Sequence, residues 1–544
     1  MNGGNGELFA DLALLDGKIV TVDGKESIAE AVAVKFGKIL SVGLDEDVKS
    51  LVGPETEVID LEGRTVIPGL IESHCHPTGA AQQRALTIDG SYDAGVRSIS
   101  DIQARIADDA RRKPEGEWIN VVNEDDSKLA ERRHPYRWEL DEVAPDNPVM
   151  VTTIGGHFAV VNSKAFEMAG VTKDSPDPMG GRFERDPETG ELTGWIHERA
   201  AYVLQPIRYG RYPTLPEAIE SIRWVLTQYA SSGLTCASDG GIMQSVLVRA
   251  LQALARRGEL PIRIRMDLRC EMMPDLAALG IGEGFGNDML RINAIKIIAD
   301  GAISARTAAV ADPYLHRPDY YGELAITREE LHRIVMEGYP LGYRFAVHAN
   351  GERAINMFLD IIEEAQGRYP RGDPRNRCIH CTVVNPEIIA RIKRLGVLPT
   401  IFGPYPYYHG DKILPAFGAE RLERMFAARS FLDAGVKVAA HSDHHASPYP
   451  PLMGIHALVN RKTMKGLPIG TSQRISVMEA LKLYTINAAH HLFEEDAMGS
   501  IERGKLADMV ILGEDILTVP TETIVNIPID MTMVGGRIVY NRES

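Results

Sequence analysis

Eight short apolar runs, most of them separated by helical stretches, constrain this chain more than any other feature. They read VIPGLIESH, GLTCASDGG, IRIRMDLRC, INAIKIIADG, RFAVHANG, CIHCTVV, LPTIFGP and KVAAHSDHH. Between or beside them lie amphipathic segments such as LPEAIESIRWVLTQYASS, VLVRALQALARRG, ERAINMFLDIIEEAQ and PEIIARIKRLG. Apolar strands alternating with amphipathic helices predict parallel βα units. Eight such units close a (β/α)8 barrel of the TIM type, an α/β fold. A length of 544 residues leaves room for that barrel and for additions to it.

The additions are legible at the ends and after the first run. Residues 1–66 hold short alternating runs, DLALLDGKIVTVDG, AVAVKFGKILSVG and EVIDLEG, separated by Asp-Gly and Gly-Lys turns. The same texture returns in residues 491–544, in GSIERGKLADMVILG and IDMTMVGGRIVYNRES. Neither end has enough strands for a stable sheet alone. The economical reading is one small β-sandwich domain built from both termini, with the barrel of residues 67–490 inserted into it. Roughly 150 residues separate the first and second runs, where a βα loop takes only a few. That stretch, about 77–215, has its own strand and turn signals and reads as an inserted lid subdomain over the barrel mouth.

Composition excludes several partners. A formal net charge of −16 argues against nucleic acid, because phosphate contacts need clustered Lys and Arg. The opening MNGGNGELFADLALLDGK carries neither a basic region nor an apolar core of a secretory leader. No run approaches the ~18 apolar residues that span a bilayer. Five scattered cysteines, including the CIHC of Cys378 and Cys381, make no disulfide framework. A cytoplasmic protein acting on a small molecule is expected.

Chemistry collects at the ends of the runs, where barrel function resides. His74 and His76 close the first run; residues two apart on a strand point to one side, so both rings aim at one spot. Lys296 lies on the fourth run, His348 on the fifth, His380 on the sixth and Asp443 on the eighth. Singly, each has an ordinary explanation: a hydrogen-bonded histidine, a helix cap, a snorkelling lysine. Together at one mouth they form a set of imidazole and carboxylate ligands suited to divalent ions.

Those residues, with VIPGLIESHCHP, IKIIADGAISARTAA, FAVHANGERAIN, RCIHCTVV and VAAHSDHHASPYPPL, resemble the amidohydrolase superfamily, and within it the amidohydrolase-3 branch of YtcJ-like proteins and N-substituted formamide deformylases. INAAHHLFEEDAMGSIERGKLADMVIL is similar to the closing segment of that branch. The resemblance implies two divalent metal ions, of the zinc kind, bridged by Lys296 carboxylated to a carbamate, with a one-metal centre as the alternative. It assigns His74, His76 and Asp443 to one ion and His348 and His380 to the other. It implies attack of metal-bound hydroxide on an amide-type C–N bond, with Asp443 passing the proton to the leaving nitrogen. A homodimer is plausible on the same ground.

The chain departs from the branch in carrying Glu352 where an aspartate is usual, and His444 and His445 after Asp443. Glu352 reads as a cap or as the partner of Arg353. His157, Arg306, Tyr405 and His444 are candidate substrate contacts, each with a packing or ion-pair role as its plain alternative. The same centre would also suit an ester, carbamate, cyclic amide or C–C bond, or ring deamination. A metal-free binding module is the reading from another class, and six competent ligand positions stand against it.

Overall fold

The computed structural model describes residues 9–543, apart from 93, 154–157, 179–180, 199, 201–202, 205–211, 316 and 445. Eight parallel strands pair in chain order: Leu70–Cys75, Leu234–Ile242, Arg263–Arg269, Leu290–Ile298, Phe345–Ala349, Arg377–His380, Leu398–Phe402 and Ala439–His441. They are the eight apolar runs, called strands one to eight below, and they form the expected (β/α)8 barrel. Helices between them start and stop on ordinary signals. The Asn385 side chain accepts from Ile388 N–H to cap Pro386–Leu395, and Gly396 ends that helix in the left-handed conformation. Thr327 caps Arg328–Gly338 in the same way.

The seam between strands one and eight is closed by side chains as well as backbone. Ser73 Oγ donates to Ala440 O at 2.6 Å, and the Glu72 carboxylate accepts Ser442 N–H at 3.0 Å. Above them Asp443 N–H donates to His74 O and His76 N–H to His444 O, at 3.2 and 3.0 Å.

The first run is two strands rather than one. Thr65–Pro68 pairs with Met509–Leu512 and Lys18–Val20, whereas Leu70–Cys75 enters the barrel. Pro68 and Gly69 make the break. Gly69 lies so close to Thr235 that a Cβ would sit 2.2 Å from its Oγ1, so only glycine passes there. Thr65–Pro68 belongs to a six-stranded sheet drawn from both ends of the chain. A four-stranded sheet of Leu12–Leu15, Ala31–Lys35, Lys38–Gly43 and Glu57–Asp60 packs on it. Leu14, Val32 and Val34 from one sheet and Val66, Met509, Ile511 and Met533 from the other share a buried core. Arg263 of strand three ties the barrel to this pair through a buried fork on Asp508, at 2.7 and 2.8 Å.

The barrel interior is not simply apolar. Arg377 of strand six reaches Asp267 of strand three and donates to Ser73 O of strand one at 3.0 Å. Asn293 donates to Asp267 at 2.6 Å and receives Arg344, while Arg265 pairs with Glu494 at 2.6 Å. All of these charged side chains are buried.

Gly79–Ser221 is a second compact unit. Its six-stranded sheet runs in the order 181–185, 192–198, 158–161, 149–153, 119–124, 87–89. Alternation along Val149–Thr153 sends Val149 and Val151 into a core with Ile102 and Ile106, and Met150 into one with Phe166. Ser98 and Asp101 form a capping box at the start of Ile99–Ala110. Among the described residues no helix is long and apolar enough to cross a membrane.

Candidate metal centre

The six residues singled out at the strand ends converge on the C-terminal side of the barrel. His74 and His76 direct their Nε2 atoms to one oxygen, Asp443 Oδ1, at 3.2 and 3.1 Å. Lys296 Nζ lies 3.1 Å from His74 Nε2. His348 Nδ1 and His380 Nε2 are 2.9 Å apart. The backbone aims two of these groups through the left-handed region, with φ of 73° at His380 and 55° at Asp443. Non-glycine residues seldom adopt that conformation, and here it turns both side chains at the strand ends.

Neighbouring groups fix the rings. The His348 Nε2–H donates to Gly301 O at 3.2 Å, which leaves Nδ1 with its lone pair toward His380. Phe402 stacks on the His380 ring at 4.5 Å between centroids. His74 is wholly buried against Gly240, where a Cβ would lie 2.0 Å from its Cε1.

Burial sets the protonation states. It pulls the His348 imidazole down to about 4 and puts those of His74 and His380 well below their usual range. It also brings the Lys296 amine down to about 8. For Asp443 burial works the other way, yet the imidazoles of His380, His74 and His76 hold its carboxyl well below the ordinary value. Neutral imidazoles around an ionised carboxylate are the form in which these side chains bind a metal.

The donor set fits divalent ions on geometry too. Among the described residues two groups, His74–His76–Asp443 and His380–His441–Asp443, each bring one ligand atom per residue within 4.8 Å of the others. A tetrahedral site with Zn–N bonds of about 2.0–2.1 Å has ligand-to-ligand edges of roughly 3.3 Å. The spacings of 2.9–3.2 Å given above are close to that edge.

The secondary candidates fare differently. Tyr405 is buried between Phe402 and Phe426, and its hydroxyl accepts Ser304 N–H at 3.0 Å. Its oxygen thus ties down the loop after strand four, and burial pushes the phenol up to about 12. Arg306 is exposed in that same loop. His444 meets the Tyr229 hydroxyl through Nδ1 at 2.9 Å and packs on Tyr449. His157 and His445 lie outside the described residues.

The Asp300 carboxylate accepts the N–H groups of Ala309, Asn350 and Gly351, each at 2.9 Å. One alternative raised by the sequence is corrected. Glu352 pairs with Arg424 at 2.7 Å rather than with Arg353. The residue that sequence reasoning missed is His441. It is fully buried on strand eight, with Nε2 3.3 Å from His380 Nδ1. The signal was present, because His441 stands two residues before Asp443 as His74 stands two before His76.

Comparisons with known proteins place the chain in a family. The amidohydrolase family model matches residues 57–540. An N-substituted formamide deformylase from Arthrobacter pascens is 30% identical, over 98% of both chains. The putative amidohydrolase YtcJ of Bacillus subtilis (strain 168) is 28% identical over 97% of this chain and 99% of its own. The crystal structure of an uncharacterized metal-dependent hydrolase from Pyrococcus horikoshii OT3 superposes with a TM-score of 0.76 at 26% identity, covering 94% of this chain and 99% of that one. The chain belongs to the amidohydrolase family.

Proposed function

We propose that the enzyme hydrolyses a small N-substituted formamide or a similarly compact amide, at a centre of two zinc-type ions. His74, His76 and Asp443 would hold one ion and His348 and His380 the other, with carboxylated Lys296 between them. The observation that carries this reading is the convergence of two imidazoles on one Asp443 oxygen with the Lys296 nitrogen 3.1 Å from His74. Similarity to the Arthrobacter pascens formamide deformylase supports the substrate class.

Bound ions of this kind supply a water of lowered pKa and a Lewis acid for the carbonyl. The chain's own groups do the rest. Asp443, ionised and hydrogen-bonded, accepts the proton that the attacking water loses and delivers it to the leaving nitrogen as the C–N bond breaks. A formamide and one water then become formate and an amine, with atoms and protons balanced. Lys296 must meet CO₂ as the neutral amine. A value of about 8 instead of 10.5 leaves roughly a fifth of it neutral near pH 7.4, against about a thousandth for an ordinary lysine.

The test is elemental analysis of protein purified without chelator, beside release of formate from N-substituted formamides. About two equivalents per chain, reduced in His74→Ala together with activity, is the expected result. A full complement of ions with no formate from any formamide would end the substrate reading. An absence of bound metal after incubation with zinc and bicarbonate would end the mechanism.

A further inference from the structure

We infer that His441 is a positioning residue that sets the tautomer of His380, and through it the affinity of the second ion. This rests on the two-ion reading above. The His380 ring has a neighbour at each nitrogen: His348 Nδ1 is 2.9 Å from its Nε2, and His441 Nε2 is 3.3 Å from its Nδ1. One imidazole cannot give both nitrogens to one ion. His348 keeps its proton on Nε2, bonded to Gly301 O, so its Nδ1 lone pair and His380 Nε2 face a common point. The His380 proton then belongs on Nδ1. In that direction the structure offers His441 Nε2 as the acceptor.

Packing leaves His441 little choice of pose. The Phe402 ring lies 4.5 Å from both imidazoles, stacked on His380 and tilted against His441. With Nε2 accepting, the His441 proton sits on Nδ1, which has no hydrogen-bond partner among the described residues. A buried polar atom without a partner is unfavourable, so its presence here points to a role for the opposite nitrogen. Partners that orient a ligating histidine typically carry 10–100-fold in metal affinity. The competing possibility is that His441 itself ligates, since one atom each from His380, His441 and Asp443 lies within 4.8 Å of the others.

Two substitutions separate the roles. His441→Phe keeps the ring volume and removes the acceptor, while His441→Gln puts an amide oxygen near the place of Nε2. Cobalt titration of the chelator-stripped full chain, with bicarbonate, reads the two equivalents separately. In His441→Phe the second Kd is expected to rise by about 10–100-fold with the first unchanged, and His441→Gln to recover most of the loss. At saturating cobalt the visible absorption of His441→Phe should match wild type. Circular dichroism of the metal-free variants checks folding, and His441→Leu replaces the Phe variant should it not fold. A wild-type second Kd in His441→Phe, or no recovery in His441→Gln, overturns the inference. An altered cobalt spectrum at saturation makes His441 a ligand and overturns the positioning role. A wild-type protein that takes up only one equivalent removes the two-ion reading itself, which is a separate failure.

Discussion

Gly240 of strand two offers a way to move His74, a proposed metal ligand, without deleting it. An added Cβ would lie 2.0 Å from His74 Cε1 and 2.4 Å from Nδ1, where an ordinary contact begins at 3.4 Å. The imidazole would have to retreat by about 1.4 Å to restore that contact. His74 is wholly buried, so the ring has no solvent side to yield into. Packed interiors tolerate little displacement of this size, and overpacking costs about 1–3 kcal/mol. Metal ligands must sit within about 0.2 Å of their proper distance, and a 1 Å misplacement at a reacting centre costs about 10²-fold. Gly240→Ala is therefore expected to fold with modestly reduced stability while losing about a hundredfold in kcat/KM. The assays are formate release at saturating zinc, elemental analysis of bound metal, and thermal unfolding of the metal-free protein. Full metal content with activity within about threefold of wild type would refute the reasoning, because it would mean that the His74 ring and strand two adjust freely.

Other outcomes follow from the same geometry. Metal-free protein reconstituted without CO₂ should bind its second ion weakly and regain it with bicarbonate, and Lys296→Met should be indifferent; equal uptake with and without bicarbonate would exclude the carbamate bridge. For unmodified Lys296, burial lowers the folded-state value to about 8 against 10.5 unfolded, so the unfolded chain holds the extra proton between those values. Stability of the metal-free protein should then rise by up to about 3 kcal/mol from pH 8 to 10.5, the full penalty of the buried charge being present and independent of pH below that window, as read by urea unfolding. Asp508→Ala leaves the Arg263 guanidinium buried and unpaired between barrel and sandwich; a loss of about 3–5 kcal/mol in the same assay is expected, and a loss under 1 would mean that water reaches it. Tyr405→Phe should cost about 0.5–1.5 kcal/mol with KM unchanged, since its hydroxyl serves Ser304; a tenfold rise in KM would make it a substrate contact.

Much of this architecture was written along the chain. Burial on both faces makes barrel strands read as apolar runs, so all eight were visible, as was the two-residue spacing of His74 and His76. The family strings then identified Lys296, His348, His380 and Asp443. What the sequence could not say was which side chains answer one another across the barrel. Asp267 and Arg377 interrupt apolar strands, yet they meet inside because strands three and six face each other only once the ring closes. Tyr405 stood in an aromatic loop, and tertiary contacts made its hydroxyl the acceptor for Ser304 N–H. His441 had the right spacing but no local sign of a partner, since His380 comes from another strand. Periodicity and spacing are local and act along one strand, so a sequence determines them. Hydrogen bonds between strands depend on register, burial and closure, and only the folded chain decides those.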